Sequence, residues 1–195
     1  MSRRHHALTW VLVLVGLAIT QVLQSHTPAP AEASRPYERA AAVGEVVHLR
    51  AGDLVVTGLR GGRSAVVDPG SGFQTPGVVA VADLTWTPRT TTAALRAGQI
   101  EGSDGRSWSF GARGSRGGIA CQSSVPGITV VCAVLVELPA DALVGATLHL
   151  RADADDRFDT EAVVTLGVTA DQAAGWAKAT APVKVEAPHP AGLTP

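Results

Sequence analysis

The stretch ITVVCAVLVEL, residues 128–138, decides the fold class of this chain. Ile128, Val130, Cys132, Val134, Val136 and Leu138 fall on one side of an extended strand. Thr129, Val131, Ala133, Leu135 and Glu137 fall on the other. A period of two, rich in β-branched side chains, specifies a strand with one strongly apolar face. VVAVADLTWT, residues 78–87, repeats the pattern with Ala80, Ala82, Leu84 and Trp86 in phase. Val47 and Leu49, the run from Leu54 to Leu59, Leu148 and Leu150, and Ala162, Val164, Leu166 and Val168 continue it. Gly61-Gly62, Asp68-Pro69-Gly70, Asp104-Gly105 and Pro126-Gly127 stand between the runs as turn signals.

No long amphipathic helix alternates with these strands, so the pattern predicts an all-β, antiparallel two-sheet sandwich over residues 43–169. Residues 170–195 read as a short helix and a mobile tail. Thr169-Ala170-Asp171-Gln172 has capping-box spacing, Pro182 would stop the helix, and further prolines follow.

The chain has 195 residues, 46% hydrophobic and 17% charged, which is ample for one domain with its own core. Its formal net charge of −1 lacks the basic excess of a nucleic-acid binder, so no nucleic-acid partner is expected.

The compartment is read from the other end. Arg3 and Arg4 precede a charge-free apolar run from Ala7 to Leu23, and no further basic side chain comes before Arg35. The run would extend about 25 Å as a helix, just short of a hydrocarbon core. Charge asymmetry places the arginines in the cytosol and the following chain outside. Residues 1–24 are therefore expected to be a cytosolic stub with a single N-terminal transmembrane helix, touching the membrane through residues 7–23. Cleavage near Ala31 or Ala33, in the A-x-A-like triplets Ala29-Pro30-Ala31 and Ala31-Glu32-Ala33, would instead release a secreted protein. Residues 25–42 mix Pro, Ala, Ser and charges with few large apolar side chains, and read as a flexible linker.

Cys121 and Cys132 are the only cysteines. Outside the cytosol such a pair is most simply a disulfide. Their midpoint falls on Pro126-Gly127, so a hairpin centred there brings them opposite one another. A four-residue loop, Val125 to Ile128, makes them a non-hydrogen-bonded pair, where side chains approach most closely. A two-residue loop suits a leading proline less well.

Motifs for chemistry are sparse. His48 and His149 occupy strand positions expected to face solvent, and no H-x-x-x-H, H-E-x-x-H, G-x-S-x-G or Walker-type pattern occurs. Asp153, Asp155, Asp156, Asp159 and Glu161 are dense in carboxylates, but Arg157 and Phe158 break calcium-loop spacing. No catalytic residue, metal or cofactor is expected. Gly111 to Gly118 (GARGSRGG) frees backbone N–H groups, and Arg106, Arg113 and Arg116 add charge, a combination suited to an anion. Trp86, Trp108 and Trp176 would be core or a sugar-binding face, and Trp86 has core parity.

The order of these features resembles the telokin-like immunoglobulin-fold domain of unknown function found in bacterial exported or membrane-anchored proteins. The matching pieces are Val43-Gly44-Glu45, the strand from Val78 to Thr87, and Ile100 to Trp108 around Asp104-Gly105. Val125-Pro126-Gly127 leading into Ile128 to Pro139, and Leu143 to Leu150, complete them. Thr87-Pro88-Arg89 departs from the family, whose members often carry an Asn after the long strand, and Gly111 to Gly118 has the look of an insertion. The resemblance implies an extracytoplasmic immunoglobulin-like sandwich and brings no catalytic residues. The expected function is a membrane-anchored accessory or protein-binding module of the cell envelope. The alternative is a secreted module binding an anionic envelope polymer or small ligand through residues 106–118.

Overall fold

The computed structural model describes residues 3–26, 35–67, 71–110, 117–152 and 159–192. The chain divides into two compact units, one up to Arg35 and one from Pro36 onward.

The first unit holds α1 (Arg3–His26). Its side chains from Leu12 to Gln24, with Trp10, are exposed, including Leu14, Leu17, Ile19, Val22 and Leu23. Of the expected transmembrane helix, the helix is present. Among the described residues, no helix is long and apolar enough to cross a membrane.

The second unit is a β-sandwich. Its strands are β1 (Tyr37–Ala42), β2 (Val46–His48), β3 (Gly52–Val67), β4 (Ser71–Pro88), β5 (Ala97–Glu101) and β6 (Ser107–Ser109). They continue with β7 (Gly118–Ala120), β8 (Val130–Leu138), β9 (Thr147–Arg151), β10 (Thr160–Thr165), β11 (Val183–Val185) and β12 (His189–Pro190). One sheet has the order β1-β10-β9-β5-β6. The other runs β11-β3-β4-β8-β12, with β2 on β3 and β7 on β8.

The alternation read from the sequence fixes which side chains meet between the sheets. Val78, Ala80, Ala82, Leu84 and Trp86 of β4 and Val130, Cys132, Val134, Val136 and Leu138 of β8 face one main core. Leu148 and Leu150 of β9 and Ala162 and Val164 of β10 close it from the other sheet. The opposite faces of β4 and β8 are buried too. Val79, Val81, Ala133 and Leu135 cluster with Ala65, Val183 and Val185. That second cluster is why these two strands are apolar on both sides.

Three expectations are corrected. First, residues 25–42 are not linker throughout: Tyr37–Ala42 is β1, paired parallel to β10 from Tyr37↔Thr160 to Ala42↔Thr165. An edge strand held by main-chain bonds, with mostly exposed side chains, leaves no apolar period to read. Second, the chain after Pro182 is not a free tail up to residue 192. β11 pairs parallel to β3, and β12 pairs antiparallel to β8. Arg60 fastens this segment, donating to Asp83 (2.7 Å) and to the Lys184 carbonyl (2.5 Å). These two parallel pairs also make the sandwich mixed at its edges rather than wholly antiparallel. Third, Gly61-Gly62 is not a turn but the middle of β3.

The glycine pair has a packing reason. A Cβ at Gly61 would overlap the Trp176 indole, so the glycine lets the C-terminal helix lie against the strand. The register shifts between Val56 and Gly58 and again after Gly62. The first shift swaps strand parity, so Leu59 faces the main core as Leu54 and Val56 do; the second sends Ala65 to the smaller cluster. Pro76 lies in the matching irregularity of β4, where no ladder bond is demanded of it.

The expected short helix is α2 (Ala170–Lys178). Its capping box is complete: Thr169 Oγ1 accepts from the Gln172 N–H (3.2 Å), and Gln172 Oε1 accepts from the Thr169 N–H (3.0 Å). The turn at Asp104-Gly105 forms between β5 and β6, with Gly105 at φ 80°. Asp68-Pro69-Gly70 lies outside the described residues.

Candidate functional site

Cys121 and Cys132 are joined by a disulfide, with their Cα atoms 5.1 Å apart. The β7–β8 register, Gly118↔Leu135 to Ala120↔Ala133, carries on to set them opposite. The turn at Val125–Ile128 also forms, the Ile128 N–H donating to the Val125 carbonyl (3.2 Å), with Gly127 at φ 80°. Between bridge and turn, however, the chain leaves β8. Ser124 exchanges two backbone hydrogen bonds with Ala93 (3.0 and 3.1 Å) instead. The unit is thus a bridged loop rather than a continuous hairpin.

Of the arginine set expected to hold an anion, Arg106 alone lies among the described residues. Arg106 is committed: its Nε donates to Asp104 (2.6 Å), a second nitrogen lies 3.4 Å from Asp141, and its guanidinium covers the Trp108 ring at 5.3 Å. Two acids therefore compensate its charge. Arg113 and Arg116 lie outside the described residues, as do Asp153, Asp155 and Asp156 of the acidic stretch. Trp86 is core, fully buried.

Two arrangements were missed in the sequence. The first surrounds His149, which is buried rather than solvated. Its Nε2 lies 3.1 Å from Thr147 Oγ1 and 3.8 Å from Glu101, and its Nδ1 lies 3.5 Å from Glu161. Register explains the gathering: Glu101 pairs with Thr147, Gln99 with His149, and Glu38 of β1 lies alongside Glu161. Interaction with the Glu161 carboxylate raises the His149 pKa above the ordinary histidine range, burial opposes it, and the charges of Glu161, Glu101 and Glu38 add to the rise. An imidazole set between Thr147, Glu101 and Glu161 ties β5, β9 and β10 together.

The sign of the pH dependence follows. A histidine whose pKa is raised on folding stabilises fully below its unfolded value, about 6.5, and loses that contribution as pH rises through the folded value. His149→Gln is expected to lower Tm most at about pH 6 and progressively less as the pH rises toward about 9. Thermal melts of both proteins across that range check this. An equal Tm deficit at both ends would sink the ion-pair account.

The second arrangement is a cleft of about 450 Å³ at one end of the sandwich, lined by Arg50, Arg96, Thr90, Thr91, Thr92 and Asp159 among others. Its threonine wall is the connection between β4 and β5, and that connection is tightly held. The Arg89 N–H donates to the Ala51 carbonyl (2.9 Å), and Trp86 Nε1–H to the Ala93 carbonyl (3.1 Å). The Ala93–Ser124 bridge and the Arg96 N–H to Arg151 carbonyl bond (3.0 Å) complete the frame, while Ala94 and Leu95 are buried. Across the cleft the Arg50 N–H donates to Thr160 Oγ1 (2.8 Å), and its guanidinium lies 3.3 Å from the buried Asp159 carboxylate. Among the described residues no acid is within ion-pairing distance of Arg96. Arg89 is taken by Asp53. Three consecutive threonines, Thr90–Thr92, between Arg89 and Arg96 were the signal available in the sequence.

The geometry defines a two-sheet β-sandwich, closed by a disulfide-anchored loop beside a basic, hydroxyl-lined cleft. No protein-family model matches the chain, and no curated protein matches it in sequence. Among solved structures it is similar to the yjhA protein from Bacillus subtilis, at 13% identity over 63% of this chain and 98% of that one, with a TM-score of 0.45. It is also similar to an uncharacterized β-sandwich protein from Clostridium difficile 630, at 11% identity over 70% of this chain and 99% of that one, with a TM-score of 0.44.

Proposed function

We propose that this chain is a non-catalytic binding or accessory module of the cell envelope, held outside the cytosol by its N-terminal segment. The observation that carries the reading is the Cys121–Cys132 bridge, which uses every cysteine of the chain. Structural bridges persist in oxidising compartments. The exposed apolar side chains of α1 behind Arg3 and Arg4 support the same topology, with α1 as the membrane anchor and the sandwich outside. The order of sequence motifs supports a telokin-like immunoglobulin type of sandwich. The A-x-A-like triplets at Ala31 and Ala33 favour a second reading, a secreted module released by cleavage.

Alkylation of thiols in intact cells, carbonate extraction of membranes and mass spectrometry of the mature N-terminus test this together. The expected result is a chain with no free thiol, retained in membranes with residues 1–24 attached and co-purifying with a recurring envelope protein. A protein in the medium starting at Glu32 or Ser34 would select the secreted reading. Free thiols in the cytosolic fraction would overturn both.

A further inference from the structure

We propose that the cleft between Thr90–Thr92 and Arg50 is a binding site for a tetrahedral oxyanion, the phosphate group of a small phosphate ester. The inference rests on reading the chain as a binding module but not on its compartment. Three features of the cleft select this chemistry.

The first is charge. Arg50 is compensated by Asp159, which leaves Arg96 as the unmatched cation among the described lining residues. A buried carboxylate that offsets one arginine, beside a second arginine with no described acid within ion-pairing distance, suits an anion rather than a cation.

The second is the number of donors. The backbone N–H groups and hydroxyls of Thr90, Thr91 and Thr92 make no hydrogen bond to a described residue, and all three residues are on the cleft wall. Together with the Arg96 guanidinium they outnumber what the two oxygens of a carboxylate engage. Three or four oxygens of a phosphate would use them. The third is rigidity. The connection carrying the threonines is pinned from Arg89 to Arg96 by the hydrogen bonds described above, so little ordering entropy opposes binding. A volume near 450 Å³ is at the small end of ligand sites, enough for a phosphate with a sugar- or glycerol-sized substituent.

Calorimetric titration of the full-length protein in mild detergent, at constant ionic strength, tests the site with inorganic phosphate, glycerol 1-phosphate and acetate as probes. Saturable binding of both phosphates is expected, with acetate at least about tenfold weaker. Arg96→Ala should weaken phosphate about tenfold or more, and its side chain, exposed and without an ion-pair partner among the described residues, makes the variant safe for folding. Arg63→Ala, an exposed arginine outside the cleft lining, should leave affinity unchanged. Absence of phosphate binding, equal binding of acetate, or equal losses in the two arginine variants would each overturn the proposal. Because the titration does not report compartment, such a failure is separable from failure of the envelope reading.

Discussion

Trp86→Ala is expected to destabilise the sandwich by about 3–5 kcal/mol, enough to unfold a marginal domain. Trp86 is fully buried in the main core, at the point where β4 pairs with both β3 and β8: Leu54 is its partner on one side and Val130 on the other. Gly52 packs against the same point, since a Cβ there would overlap the Thr87 carbonyl and come within 2.8 Å of the indole. Truncation leaves a cavity that neighbouring strands, fixed in register, are unable to collapse into. It also takes one of two donors from the Ala93 carbonyl, which keeps the Ser124 N–H alone. Trp86→Phe separates the two effects. It restores most of the volume but not the donor, so an intermediate loss of about 1–3 kcal/mol is expected, with faster amide exchange at Ala93 and Ser124. Urea denaturation of the three proteins measures the first part. A Trp86→Ala loss under about 1 kcal/mol would mean that the core repacks around the deletion.

How far the sequence revealed this arrangement depended on how each element is held. β4 and β8 were legible because each alternates against a core on at least one face, and burial of one face dictates the period. The capping box of α2 was legible because it is a local exchange between Thr169 and Gln172. β1, β11 and β12 were not, because main-chain pairing at a sheet edge demands little of the side chains, and prolines flank the last two. His149 misled for a different reason. Its outward parity was read correctly, but an outward face is solvated only if its neighbours are short. Here Glu161, Glu101 and Thr147 fold over the ring. The cleft was hidden because it joins residues as far apart in sequence as Arg50, Thr91 and Asp159. Arg106 illustrates the converse: a cationic loop residue looks free in sequence until the chain places Asp104 and Asp141 beside it.

Replacing both bridge cysteines by alanine is expected to cost about 3 kcal/mol, the loop-closure entropy of an eleven-residue separation. Alanine avoids burying a hydroxyl at position 132, which is inside the main core. The bridge acts on more than the unfolded chain. It fixes the point from which residues 122–128 cross to the β4–β5 connection. There Ser124 bonds Ala93, and the Gly127 N–H donates to the Pro88 carbonyl (2.9 Å). Trp86 holds the same Ala93 from the core side. The two anchors therefore share a native element, and a combination experiment separates the mechanisms. If the bridge stabilised only by restricting the unfolded ensemble, the losses from Trp86→Phe and from the double cysteine replacement would add. A shared native loop predicts a combined loss smaller than the sum by about 0.5 kcal/mol or more, because freeing Ala93 once leaves less to lose. The same logic extends to ligand. Reductant alone should weaken phosphate binding through the loosened Thr90–Thr92 wall, although neither cysteine lines the cleft. Unchanged affinity in fully reduced, folded protein would show that Trp86 and the Arg89 and Arg96 backbone bonds suffice to hold the wall.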